Sequence, residues 1–312
     1  MATSALPGNG EHVLVHGDHE AIIVEAGAGV RSYTLDAVPV VAGYPPEAVC
    51  PSGRGQWLVP WPNRIPGGRY SFDGTEYVLP VQDPEPDHAI HGYARRTPFQ
   101  VIDQNAASVE LGAVLPARPG YPWDLQMLVS WELSATGLAA TLRVLNLSGT
   151  DAPFGAGAHP YLAAGVGTTE LIDAGSLTIP AQTCLTGTDG VLKDRKPVDA
   201  EDDFRQGRRI GTHTLGLYTD LARDSAGFAR TLFVREDGWQ VQVWQDEAYP
   251  FVLAYGADQV SDAEGRRASV AIEPMTCAVD AFNTGDGLLR LAPGAEFTGT
   301  WGITVHHMEG QA

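Results

Sequence analysis

Leu125-Gln126-Met127-Leu128-Val129-Ser130-Trp131-Glu132-Leu133-Ser134-Ala135-Thr136-Gly137-Leu138-Ala139-Ala140-Thr141-Leu142-Arg143-Val144 is the stretch that decides the fold. Leu125, Met127, Val129, Trp131 and Leu133 take every second position, and Leu138, Ala140, Leu142 and Val144 resume the pattern after Ser134–Gly137. A period of two puts one set of side chains on one face of an extended chain, so the stretch predicts two strands joined by a turn. The pattern recurs from Leu232 to Val234, turns at Glu236-Asp237-Gly238 and returns through Trp239, Val241 and Val243. Asp-Gly between alternating runs is a strong hairpin signal.

Further short strands are expected at Val78–Val81, Leu215–Leu217, Phe251–Tyr255, Ser269–Ile272 and Thr298–Val305. No fifteen-residue window shows a helical apolar stripe. Residues 185–211, rich in Gly, Asp and Arg, read as a long loop. The 36 glycines and 22 prolines are spread through all 312 residues and punctuate many short strands rather than marking a disordered tract. The expectation is all-β: one large antiparallel β-sandwich domain spanning 1–312, with its core from about 12 to 306.

A net charge of −18 argues against nucleic acid, because phosphate binding needs a basic face. It also weighs against a phosphorylated substrate, although a local arginine pocket is compatible with it. The lysines are Lys193 and Lys196, both in a polar stretch, which disfavours a buried Schiff-base amine. Residues 1–10 have no charged or apolar leader segment, and no run of 18 apolar residues suggests a membrane span. Cys50, Cys184 and Cys277 are odd in number and far apart, as expected of free thiols in a reducing compartment. The chain therefore reads as a soluble, cytoplasmic protein, with no signal of its oligomeric state.

Its chemistry concentrates in two short segments. His159 lies in Phe154-Gly155-Ala156-Gly157-Ala158-His159-Pro160-Tyr161, and Glu273 in Ile272-Glu273-Pro274. Glu273 follows Ser269–Ile272, which reads as a buried strand, and Pro274 is expected to end its ladder. A buried glutamate is costly unless paired or used, and desolvation raises its pKa toward that of a neutral-pH general base. His159 starts from a pKa near 6.5 and is expected to serve as an acid without tuning. Asn63 and Arg64, in Trp61-Pro62-Asn63-Arg64-Ile65, offer fixed donors beside an apolar platform, as a sugar requires, or else form a turn with an exposed arginine. His91 reads as structural or functional, and Asp220 as a sugar-hydroxyl acceptor or a turn carboxylate. His88 and His91 have a spacing that metal sites use, but i and i+3 on a strand face opposite sides, so no metal is expected. No phosphate loop, nucleophile elbow or dinucleotide fingerprint occurs.

Taken in order, these segments resemble the aldose 1-epimerase (galactose mutarotase) family. The resemblance runs from about residue 12 to 306. It rests on Pro62-Asn63-Arg64-Ile65, Ile90-His91-Gly92, Ala158-His159-Pro160-Tyr161, Thr219-Asp220-Leu221, Ile272-Glu273-Pro274 and Asp280-Ala281-Phe282-Asn283. It implies a galactose mutarotase-like supersandwich with an open cleft and no cofactor, acting on a free monosaccharide. Glu273 would be the general base and His159 the general acid, with Arg64, His91 and Asp220 holding the ring oxygen and hydroxyls. Two positions depart from better-known members: Tyr93 follows His91-Gly92, and Leu253 stands where a hydroxyl-binding glutamine is common. Both bear on sugar preference rather than on the reaction. The rival readings are a hexose-6-phosphate 1-epimerase of the same fold, a glycoside hydrolase using Glu273 and Asp220, and a non-catalytic carbohydrate-binding sandwich.

Overall fold

The computed structural model describes residues 10–81, 87–166, 171–188, 190–260 and 265–307. Among them are two large antiparallel sheets and a single four-residue α-helix, Ala281–Thr284. The hairpin that decides the fold is present as Leu125–Ser134 and Gly137–Asn146, in register from Leu125↔Asn146 to Ser134↔Gly137. The second hairpin is formed by Ala229–Val234 and Trp239–Gln245. Both belong to one sheet, whose centre is the strand Glu296–His307, flanked by Gly137–Asn146 and Trp239–Gln245.

The other sheet carries the chemistry. Across its middle the strands run Val38–Val41, Tyr161–Ala163, Ser269–Met275, Phe251–Tyr255, Leu217–Leu221, Ala181–Thr188 and Val191–Pro197. Glu273 therefore sits in an interior strand with neighbours on both sides.

The apolar faces of the two sheets meet in one continuous core. Met127, Val129, Trp131, Leu133, Leu138, Ala140, Leu142 and Val144 are all buried, as the period-two pattern requires. At its centre Trp57, Trp131 and Trp301 pack with ring centroids 5.7–6.2 Å apart in tilted and edge-on arrangements, which suit the aromatic quadrupole. The Trp131 indole N–H donates to the Ala28 carbonyl (2.9 Å), tying the second sheet to the first. No helix among the described residues is long and apolar enough to cross a membrane.

Several sequence expectations need correction. Residues 185–211 are not one loop: Ala181–Thr188 and Val191–Pro197 form a hairpin at the sheet edge, and Arg208–Arg209 pairs with Ser176–Thr178. Val191–Pro197 is polar and largely exposed, so burial writes no period-two pattern into it, and a bulge at Thr186/Gly187 breaks the register further. The strand expected at Val78–Val81 is Thr75–Val78, and that at Leu215–Leu217 is Leu217–Leu221.

Pro274 does not end its strand, which continues to Met275. Ile272 N–H donates to the Pro160 carbonyl and Thr276 N–H to the Ala156 carbonyl. The missing proline N–H falls between these two rungs, on the side of the irregular segment that carries His159. The other side pairs regularly with Phe251–Tyr255. A proline is tolerated in an interior strand because only the irregular neighbour loses a bond.

Trp131→Ala should cost about 3–5 kcal/mol, because it leaves a large cavity and an unsatisfied Ala28 carbonyl. Urea denaturation should show the midpoint lowered with the slope unchanged.

Candidate active site

His159 is held by its backbone before its side chain does anything. Its N–H donates to the Gln56 carbonyl (3.1 Å), and its own carbonyl accepts from Gly55 N–H (2.9 Å). Just before it, Gly157 and Ala158 pair with Leu58 and Trp57. Gly157 is closely packed: a Cβ there would lie 3.1 Å from both the Pro274 carbonyl oxygen and the Pro62 Cβ, and either neighbour would have to give way by a few tenths of an ångström. The small residues of Gly155-Ala156-Gly157-Ala158 thus let the histidine segment press against the glutamate strand.

That approach brings His159 Nε2 to 3.4 Å from Glu273 Oε1. Both residues are buried, at 4% and 1% exposure. The His159 ring stacks on Tyr161 (centroids 4.9 Å apart, planes 5° apart) and meets His91 edge-on at 5.2 Å. His159 Nδ1 and Glu273 Oε2 are buried with no protein hydrogen-bond partner. A carboxyl oxygen left unpartnered in the interior is costly to fold around.

Burial sets the protonation of the pair. Desolvation raises Glu273 to about 8, against a smaller opposing pull from the Arg64 charge. Desolvation lowers His159 to about 3, helped by Arg95 and Arg54. Burial thus tunes both groups, against the expectation that His159 needs no tuning, and favours the neutral form of each. His91 is likewise held neutral, chiefly by burial and then by His159.

Asn63 organises the other side. Asn63 N–H donates to His91 Nδ1 (3.1 Å) and the Asn63 carbonyl accepts from His91 N–H (2.9 Å). With Nδ1 accepting, the neutral His91 ring carries its proton on Nε2 and is a donor. Asn63 Oδ1 also accepts from Arg64 N–H (2.9 Å) and lies 3.4 Å from the Arg64 guanidinium. Asn63 and His91 both have left-handed backbones (φ 57° and 59°), as does Asp220 (φ 54°). Non-glycine residues held there carry strain that the surroundings must impose, a common property of functional sites. The next residue, Gly92 (φ 59°), leaves no room for a side chain: a Cβ would lie 2.1 Å from the Val59 carbonyl oxygen.

The structure thus brings together Asn63, Arg64, His91, His159 and Glu273. Asp220 stands apart from these contacts. Its exposed carboxylate lies 3.9 Å from Arg195, which makes two hydrogen bonds to Asp286 (2.6 and 3.0 Å). Sequence reasoning passed over Arg195 because it lies in the stretch taken for a loop. It also missed the hairpin tip, where Gly190 lies against the Arg64 guanidinium. His88, on the strand His88–Ile90, is partly exposed, whereas His91 is buried.

The sequence model of the aldose 1-epimerase family matches residues 11–304. The chain belongs to that family. Family membership brings an isomerase-type enzyme that acts on a small sugar. An uncharacterised Escherichia coli K12 protein, YihR, is 32% identical over 288 residues, covering 90% of this chain and 88% of its own. A galactose mutarotase-like protein from Clostridium acetobutylicum superposes with a TM-score of 0.81 at 19% identity, covering 95% of each chain. A galactose 1-epimerase from Lactobacillus acidophilus does so with a TM-score of 0.79 at 17% identity, covering 96% of this chain and 95% of its own. At such identities these two structures establish the galactose mutarotase-like sandwich and nothing finer.

Glu273→Gln should stabilise the fold at neutral pH. Between about 4.5 and 8 the native carboxyl keeps its proton while the unfolded chain's does not, so stability falls as pH rises through that window. The amide removes this dependence. Thermal melts of both proteins at pH 5 and pH 7.5 should show the variant's Tm advantage over wild type to be larger at pH 7.5, because the His159 contribution is common to both.

Proposed function

We propose that this protein interconverts the α and β anomers of a free aldohexose such as glucose or galactose, with Glu273 and His159 as the acid/base pair. The observation that carries the reading is the geometry of that pair: two ionisable groups, both out of water, 3.4 Å apart, each with an unpartnered polar atom. Neighbouring donors on Arg64 and on the His91 ring suit sugar oxygens.

Ring opening needs one base and one acid at the same moment. Glu273 carboxylate takes the proton from O1. The O1–H electrons form the C1=O1 bond, the C1–O5 electrons leave with O5, and O5 takes a proton from imidazolium His159. The pair is then glutamic acid and neutral imidazole, which is also its resting form. After rotation about C1–C2, O5 closes on the other face of C1, returning its proton to His159 while Glu273 gives its own back to O1. No proton leaves the site over the cycle. The cyclic sugar requires one proton to move from Glu273 to His159 across a short gap, a transfer that desolvation opposes and that the Arg64 charge and the sugar's own hydroxyls assist.

The hydrolase reading needs a second working carboxylate, and Asp220 is exposed and lies 3.9 Å from the Arg195 guanidinium. A binding module gains nothing from an unpartnered buried carboxyl oxygen.

Each proton transfer contributes about 10²–10⁴-fold, so Glu273→Gln and His159→Ala should each lose about that much kcat in polarimetry of freshly dissolved α-glucose and α-galactose. Wild-type activity in a folded Glu273→Gln variant overturns the assignment. Because the working pair holds one proton, kcat/KM should be flat through neutral pH. It should fall above about 8 as Glu273 loses that proton, and fall again toward 3 as His159 gains a second.

A further inference from the structure

Directly opposed residues in an antiparallel sheet share a face, with Cβ atoms about 4.5–5.5 Å apart. Starting from Glu273, the pairings run Glu273↔Leu253, Leu253↔Leu217 and Leu217↔Leu185, and Leu185 in turn faces Arg195. The catalytic glutamate thus heads a row of three leucines on its own face, and the first charged group beyond them is Arg195. Phe251 and Met275 flank the row, with Val191 and Leu192 of the edge hairpin packed on the same cluster. Within this cluster the Tyr255 hydroxyl is a polar atom, and it already accepts from Gln259 N–H (2.9 Å). Leu253 is the least covered of the seven buried members, at 7% exposure where the others have 0–2%. It is the point at which this hydrocarbon reaches the site.

The order of strands then orients the sugar, given the roles assigned to Glu273 and His159 above. His159 precedes the strand on one side of Glu273, and Leu253 lies in the strand on the other. With O5 at His159 and O1 at Glu273, tetrahedral C1 turns its C2 substituent away from both oxygens, and the flank of Glu273 away from His159 is the one that Leu253 occupies. We infer that Leu253 is a specificity-determining residue that presents hydrocarbon to C2 of the sugar, so that the enzyme does not require a 2-hydroxyl and takes 2-deoxyaldoses as substrates at least as good as their parents. An apolar wall rejects an added hydroxyl by at most about 10²-fold, whereas a site built to hydrogen-bond that hydroxyl rejects the analogue lacking it by about 10⁴–10⁵-fold. The two kinds of site are therefore well separated by one ratio.

The test is polarimetry of glucose against 2-deoxyglucose, and of galactose against 2-deoxygalactose, each normalised to the sugar's own uncatalysed rate. The proposal expects wild-type kcat/KM for the deoxy sugar to equal or exceed that of its parent, by up to about 10²-fold. Leu253→Gln should swing the ratio toward the parent by about tenfold or more, and Leu253→Met should leave it unchanged. A wild-type preference of tenfold or more for the 2-hydroxy sugar overturns the proposal, as does a folded Leu253→Gln variant with an unchanged ratio. If that variant does not fold, the wild-type ratio decides. Should no sugar be turned over, the epimerase reading fails by itself. Saturation-transfer NMR then decides about Leu253: equal or stronger binding of the deoxy sugars supports it, and weaker binding overturns it.

Discussion

Removing a carboxyl group and an imidazole from water side by side is the constraint around which this molecule is arranged. In water the two would titrate near their ordinary values, and between them would form an ion pair. Enclosed by Tyr161, His91 and the interior strands of a sheet, each prefers its neutral form, and the proton moves to the glutamate. The same desolvation that costs stability sets the two groups apart in proton affinity and leaves the proton on the glutamate. A reaction in which acid and base exchange roles halfway through then needs the bound sugar to draw that proton toward His159.

Holding the pair in place requires irregularities in otherwise regular strands. Pro274 omits one rung of a ladder, small residues at 155–158 allow close approach, and Asn63 and His91 accept left-handed backbones locked by reciprocal hydrogen bonds. None of these features makes the fold more stable. Each is tolerated because the Trp57–Trp131–Trp301 core and the long hairpins beneath are regular.

The sandwich was legible because half-buried strands carry their burial in the order of residues: Leu125–Val144 could hardly be anything else. Glu273 and His159 could be singled out because an ionisable residue in an apolar run is costly to keep. What stayed hidden was non-local. The edge hairpin Ala181–Pro197 has little buried on its outer strand, so no alternation betrays it. Arg195 meets Asp220 and Asp286 only through that hairpin. The protonation of His159 is set by what surrounds it rather than by its own chemistry, and a sequence does not show surroundings. Pro274 misled for a related reason: whether a proline stops a strand depends on which neighbour its nitrogen faces.

The strand Glu296–His307 joins the two halves of the sheet that backs the site, and through Trp301 it supports Trp57, the residue paired with Ala158 beside His159. A chain emerging from the ribosome therefore contains both residues of the acid/base pair before it contains the strand that completes the layer behind them. Until about residue 307 has appeared, the strands ending at Asn146 and those beginning at Ala229 have no partner between them, and their apolar faces stay uncovered. Order of synthesis thus places the greatest exposure to misassembly in the interval before Glu296–His307 has emerged.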